Sequence, residues 1–250
     1  MKAAQELLEL ARGLRARLEA GEVVPAPEAR APLHPHPAPQ PAVSKAGEGT
    51  VAVALEELKG KVAACRSCPL GSQRLNACFG VGSPSASVMF VGEGPGYQED
   101  RQGEPFVGKA GQLLDDILKA IGLSRQTVYI ANVVKCHPMK DPGTPDARGN
   151  DRPPTPEEMR GCRPYLDEQI RLVAPRVIVT LGNVATKALL GVDTGISRLR
   201  GQWKTLEVPG MAAPLRLLPT YHPAALLRDP TLTRDVWTDM KCLRQELTRP

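Results

Sequence analysis

Four short runs, residues 87–92 (SVMFVG), 128–134 (VYIANVV), 176–182 (RVIVTLG) and 215–222 (LRLLPTYH), constrain this chain more than anything else in it. Each is dominated by apolar side chains, whereas a strand with one wet face alternates apolar with polar residues. Helical patterns lie between the runs. Residues 108–122 place Leu113, Leu114, Ile117, Leu118 and Ile121 on one face and stop at Gly122. Thr155-Pro156-Glu157-Glu158 reads as a capping box opening a helix through Leu172. Asn183 is placed to cap a further helix, and Asp229-Pro230 precedes a last one with Leu232, Val236, Met240, Leu243 and Leu247 in register. Strands buried on both faces and separated by helices predict an α/β fold with three layers, α/β/α, around a central, mostly parallel four-stranded sheet.

The ends of the chain divide differently. Residues 1–20 predict a short amphipathic helix with Leu7, Ala11, Leu14 and Leu18 on one side, a feature that suits either recruitment of a protein partner or a solvated appendage. Residues 21–50 form a Pro/Ala-rich disordered linker in this reading, since seven of the 25 prolines fall between Pro25 and Pro41. The folded domain is therefore expected over 51–250. Hydrophobic residues at 42% and charged residues at 24% suit a soluble chain with a real core. No run approaches the ~20 apolar residues of a membrane span, and the leucine-and-charge alternation at the start is no secretion signal. The expected place of action is cytoplasmic, without a membrane partner, and the expected unit is a monomer. Lys plus Arg number 32 against 27 Asp plus Glu, a surplus of +5 that is compatible with a polyanion partner.

In parallel sheets ligands bind beyond the carboxyl ends of the strands, and the residues there are chemically distinctive. The first run ends in Gly92-Glu93-Gly94-Pro95-Gly96, a turn whose missing side chains let another molecule approach the backbone, with an ionisable Glu93 inside it. Downstream, Pro105-Phe106-Val107-Gly108 holds an aromatic ring able to stack on a planar ligand. Asn132 ends the second run with an amide that offers donor and acceptor together. His222 ends the fourth run, ahead of small and apolar residues closing on Arg228, a pattern suited to a wedge with a phosphate contact. Each residue alone has an ordinary structural explanation. Their positions after separate strands predict that they converge.

Six cysteines in such a chain argue for metal ligation or buried thiols rather than disulfides. Cys65 and Cys68 form a C-x2-C followed by Pro69, and Cys136 and Cys162 supply two more thiols. The set suits either tetrahedral zinc or an iron–sulfur cluster, and spacing does not choose between them. Cys78 and Cys242 read as ordinary thiols, with Cys78 near enough to the first pair to substitute for a ligand.

Taken together, Cys65-x2-Cys68-Pro69-Leu70, Gly92-Glu93-Gly94-Pro95-Gly96 running into Glu99-Asp100-Arg101-Gln102-Gly103, Pro105 to Gly111, Asn132 to Cys136, Thr155 to Leu166, Val179-Thr180-Leu181-Gly182 and Tyr221-His222-Pro223-Ala224-Ala225 resemble the family 4, iron–sulfur uracil-DNA glycosylases. The resemblance covers residues 65–247. It implies excision of uracil from DNA in base excision repair, with a 4Fe–4S cluster on Cys65, Cys68, Cys136 and Cys162. It further implies that Phe106 stacks on a flipped uracil, and that Asn132 and backbone groups of the Gly92–Gly96 turn read it. His222 would donate to its carbonyl oxygen, Glu93 would hold the water or oppose charge on the sugar, and Leu226, Leu227 and Arg228 would enter the duplex. Two departures stand out. Gly94 replaces the family's usual alanine, and the 137–152 connection is longer than usual. An inserted basic loop with a histidine marks a related branch that bonds covalently to the sugar; in this chain the insert's only histidine is His137. Two alternatives remain: an iron–sulfur DNA-binding protein without catalysis, against which Glu93, Phe106, Asn132 and His222 argue jointly, and a zinc-bearing nucleotide-binding module, which would be colourless.

Overall fold

A computed structural model describes residues 48–249. The helix expected over 1–20 lies outside them, as does the linker expected over 21–50 apart from its last three residues. Those three belong to the first described helix, α1 (Glu48–Ala64), which starts ahead of the expected domain boundary. Along the chain follow α2 (Leu70–Gln73), β1 (Val81–Gly82), β2 (Val88–Gly92), α3 (Tyr97–Gln102), α4 (Lys109–Ala120), β3 (Tyr129–Asn132), α5 (Pro156–Val173) and β4 (Val177–Leu181). Then come α6 (Gly182–Leu190), α7 (Ile196–Leu199), β5 (Lys204–Leu206), β6 (Leu215–Thr220), α8 (Pro223–Arg228), a 3-10 turn (Pro230–Leu232) and α9 (Thr233–Leu247).

The strands form one sheet in the order β1-β3-β2-β4-β6-β5. The four expected strands are its parallel core, β3-β2-β4-β6. Two short antiparallel strands, β1 beside β3 and β5 beside β6, extend it to six. Every residue of β2, β3 and β4 is buried, which is why the sequence there does not alternate. Met89, Val91, Ala131, Ile178 and Leu217 share one apolar cluster with Leu55 and Val62 of α1, Leu166 and Ile170 of α5, and Ala185 and Leu189 of α6. Period-2 alternation sends Val88, Phe90, Ile130, Val179 and Leu218 to the opposite face, and these are buried too. The second layer comes from α4, α8 and α9: α4 packs on α8 and α9 on β6, and the buried Leu114, Leu118, Leu226 and Met240 lie outside the first cluster.

From β2 the chain passes to β3 on one side, then crosses to β4 on the other, so the connections part at the tip of β2, where such folds open a crevice. The capping box at Thr155 forms as its sequence requires: Glu158 N donates to Thr155 Oγ1 at 3.2 Å and Thr155 N to Glu158 Oε2 at 2.7 Å. Arg152 forks onto the same carboxylate at 2.9 and 2.7 Å, anchoring the helix that carries Cys162. Asn183 does not cap α6, whose N-cap is Leu181 with no side-chain cap. Its Oδ1 instead accepts from Ile196 N at 3.2 Å and ties α6 to α7. No helix among the described residues is long and apolar enough to cross a membrane.

Candidate active site and cysteine cluster

Register decides what meets at the sheet's carboxyl edge. Gly92 stands beside Asn132, and Leu181 beside Thr220, so the segments that follow leave the sheet at one level. A Cβ added at Gly92 would lie 2.5 Å from both Asn132 Oδ1 and Phe106 Cζ, so glycine is what admits the amide and the ring together. Asn132 is 2% exposed and its Oδ1 has no hydrogen-bond donor. Leaving a buried acceptor unpaired costs ~1–3 kcal/mol, a cost that an N–H group brought by a ligand would remove. Beneath it, Lys135 Nζ donates to Asn132 O at 2.7 Å and to Gln169 Oε1 at 2.5 Å.

Phe106 reaches Gly92 through an unusual backbone: its φ of 56° is left-handed, a region that costs a non-glycine residue ~1–3 kcal/mol. Several groups hold it there. Glu99 Oε1 accepts from Val107 N at 3.0 Å and Gly108 N at 2.9 Å. Arg125 donates to the carbonyls of Pro105 and Phe106. The opposite end of the sheet's parallel core brings His222 to the same ring, with centroids 5.5 Å apart and planes inclined at 28°.

His222 is also the N-cap of α8: Ala224 N donates to its Nδ1 at 3.1 Å. An accepting Nδ1 carries no proton, so the neutral ring bears its hydrogen on Nε2 and presents a donor there. Burial, with Arg228 nearby, lowers its pKa to about 4, so the ring is neutral at physiological pH. Glu93 is half-buried, and burial raises its carboxyl above the ordinary range. The turn around it extends the β2–β3 ladder, with Val133 N donating to Gly92 O at 2.9 Å and Val134 N to Glu93 O at 3.2 Å. Gly94 fits this packing, because a Cβ there would lie 2.8 Å from Val134 Cγ2. Pro95 is buried, and Gly96 caps α3.

The segment expected as a penetrating loop is the six-residue helix α8. Leu226 is 1% exposed and packs inward, so it presents no surface outside the fold; Leu227 is 44% exposed and Arg228 is exposed beside it. The 137–152 insertion folds back on itself through a bridge between Met139 and Asp151, and its Asp146 pairs with Arg101 of α3. His137 is 1% exposed, with Nε2 2.6 Å from Asp151 Oδ1 and Nδ1 3.7 Å from Asp100 Oδ2. Those two carboxylates outweigh burial and raise its pKa to about 9. A histidine so enclosed and paired is not offered to a ligand.

Cys65, Cys68, Cys136 and Cys162 line one cavity, with Gly71, Arg74, Gly161 and Tyr165 around them. The donors suit bound thiolates: Arg74 Nη1 points at Cys136 Sγ at 2.7 Å, Lys135 N at Cys162 Sγ at 3.3 Å and Ser67 N at Cys65 Sγ at 3.5 Å. Burial pushes the Cys136 thiol up to about 11 and raises that of Cys162, so a bound metal's charge is what would drive those protons off. No group of three or more His, Cys, Asp or Glu side chains among the described residues is drawn together to hold a metal ion. Cys78 does not line this cavity; its Sγ donates to Glu99 O at 3.1 Å.

Sequence reasoning missed the supports. Thr220 Oγ1 donates to Asp239 Oδ2 at 2.7 Å, and Arg200 Nε donates to the same oxygen at 3.0 Å, fixing the β6 tip just before His222. No sequence pattern joins these residues. Glu99 did carry a signal, since it lies in the acidic run beside the glycine turn, but only the fold shows what its carboxylate accepts.

Comparison with known proteins gives a consistent result. The family model described as the uracil DNA glycosylase superfamily matches residues 79–241. The chain is 42% identical over 204 residues to the type-4 uracil-DNA glycosylase of Sulfurisphaera tokodaii, covering 78% of this chain and 86% of that protein. It is 40% identical over 191 residues to that of Archaeoglobus fulgidus, covering 75% and 90% respectively. The type-4 enzyme of Saccharolobus solfataricus is 37% identical over 199 residues, with 78% and 87% covered.

Proposed function

The chain belongs to the uracil DNA glycosylase superfamily and, within it, to the type-4 enzymes, and on that premise we propose that it is a DNA repair glycosylase acting as a cytoplasmic monomer on uracil-containing DNA. It is a hydrolase of an N-glycosyl bond. Water adds at the sugar C1′ and gives up a proton, the electron pair of the C1′–N1 bond leaves with the base, the uracil anion takes up a proton, and free uracil and an abasic site result. The assignment of residues is supported above all by the seating of Asn132 and Phe106 on Gly92 with His222 beside the ring.

A base within a duplex is out of reach, and extruding it costs a few kcal/mol, less at a mismatched U·G pair. Stacking on an aromatic returns ~1–3 kcal/mol per base, and Phe106 is the ring that supplies it. The unpaired Oδ1 of Asn132 suits the imide N–H of uracil, with backbone groups of the Gly92–Gly96 turn beside it. As the bond breaks, negative charge grows on the uracil oxygens and positive charge on the sugar. His222 Nε2–H opposes the first without adding a proton beforehand; the Glu93 carboxylate opposes the second or orients the water. Leu227 supplies the exposed apolar tip for the duplex and Arg228 a phosphate contact. Leu226 serves as the packed root of that helix.

Cys65, Cys68, Cys136 and Cys162 are the residues that would hold a 4Fe–4S cluster, whose contribution is structural bracing. The decisive test is simple. Purified protein incubated with a single-uracil oligonucleotide, then treated with alkali, should cut at the uracil position and leave a thymine control intact; an uncut uracil strand overturns the reading. Covalent trapping is not favoured, because His137 is enclosed by Asp151 and Asp100. No heat- and SDS-stable shifted band should appear on a denaturing gel.

A further inference from the structure

We infer that Arg125 is the positioning residue that holds the Phe106 platform in its left-handed backbone, and so sets how firmly a flipped base is stacked. This rests on the reading of Phe106 as the stacking surface. The guanidinium lies in the turn between α4 and β3, where Ser124 N donates to Thr127 Oγ1 at 3.0 Å and Thr127 N to Ser124 O at 3.0 Å. From there Nη1 donates to Pro105 O at 2.9 Å, Nη2 to Phe106 O, and Nε to Asp115 Oδ1 at 3.1 Å. One planar fork therefore fixes two consecutive carbonyls while its third nitrogen is held by a carboxylate on α4. A lysine offers no such geometry, being a point charge on a flexible stem.

The next two backbone groups, Val107 N and Gly108 N, are held from the other side by Glu99. Two side chains thus secure four successive polar groups around one strained residue. Helix α4 closes the remaining space, since a Cβ at Gly111 would lie 1.7 Å from Phe106 O. A bend needed only for chain reversal is normally met with glycine. At Phe106 a ring occupies the bend, and it faces Gly92, Asn132 and His222, so the bend exists to aim the ring. The hydrogen bonds of Arg125 go to Asp115, Pro105 and Phe106 and not to Gly92, Asn132 or His222. Its influence on the reaction passes through Phe106 alone.

That dependence is testable by a double-mutant cycle in the full-length protein, with Phe106→Leu, Arg125→Met and the pair. Single-turnover excision and KM are measured on a single-uracil oligonucleotide, with thermal melting in parallel. Arg125→Met should lower kcat/KM at least ten-fold in the parent and less than two-fold once Phe106 is leucine. Arg125→Lys should not restore the parental value, and it replaces Arg125→Met in the cycle if that variant does not fold. An equal loss in both backgrounds, or no loss in the parent, overturns the inference and leaves Arg125 as general scaffolding or surface. Parental activity in Phe106→Leu overturns instead the reading of Phe106 itself, a failure distinct from the first.

Discussion

Gly92→Ala is the smallest change that strikes the site at its point of closest approach. The added methyl would lie 2.5 Å from Asn132 Oδ1, 2.5 Å from Phe106 Cζ and 2.7 Å from Phe106 Cε2. Ordinary carbon contacts begin near ~3.5 Å, so each neighbour must retreat by roughly an ångström. Neither has room. Asn132 is held through its carbonyl by Lys135, and Phe106 through its backbone by Glu99 and Arg125. Overpacking of this kind costs ~1–3 kcal/mol of stability, which for a domain of this size lowers the melting temperature by ~2–12 °C. The catalytic loss should exceed what stability explains, because a misplaced donor or acceptor alone removes ~10²–10³ in rate. Gly92→Ala should therefore fold, melt slightly lower and excise uracil at least 100-fold more slowly in single turnover. A variant with a lowered melting point and parental excision would refute the claim that Asn132 and Phe106 meet the base at that position.

Other expectations follow from the same geometry. His222→Ala and Asn132→Ala should each lose at least ~10² in excision rate while the protein's visible absorbance is unchanged; near-parental excision by His222→Ala would end its assignment. Glu93 must be ionised and its pKa is raised by burial, so activity should fall as pH drops through a value above the ordinary glutamate ~4.3. His222, already neutral above about 4, adds no limb between pH 5 and 8. Glu93→Gln should be slow and lack that acid limb, and an unchanged limb in the variant would assign it elsewhere. Cys136→Ser, measured by iron content and absorbance rather than activity, should lose the broad visible band of a cluster; a full complement of iron would remove Cys136 from the ligand set.

The four parallel strands were legible because burial on both faces leaves a mark in composition, and so were the glycine turn, Asn132 and His222, because polar residues at the ends of apolar runs stand out. The two edge strands were not: β1 is two residues long and β5 three, too short to impose a pattern. The helical nature of residues 223–228 was hidden for a different reason. Its cap is His222, a residue read for its chemistry, and its six residues are too few to display a period. Leu226 and Leu227 are adjacent and alike in sequence, yet a helix turns one in and the other out. Supports such as Arg125, Lys135 and Asp239 escape sequence reading altogether, because their partners are set by tertiary packing alone.

Helix α8 is begun by the imidazole of His222 and carries Leu227 on its outer side. Less than two turns of rigid backbone separate them, with no glycine between to act as a hinge. Pressure on the leucine from outside is therefore delivered to the histidine like load along a short lever, so that under the proposed function the tip offered to the strand and the ring offered to the base would travel as one piece.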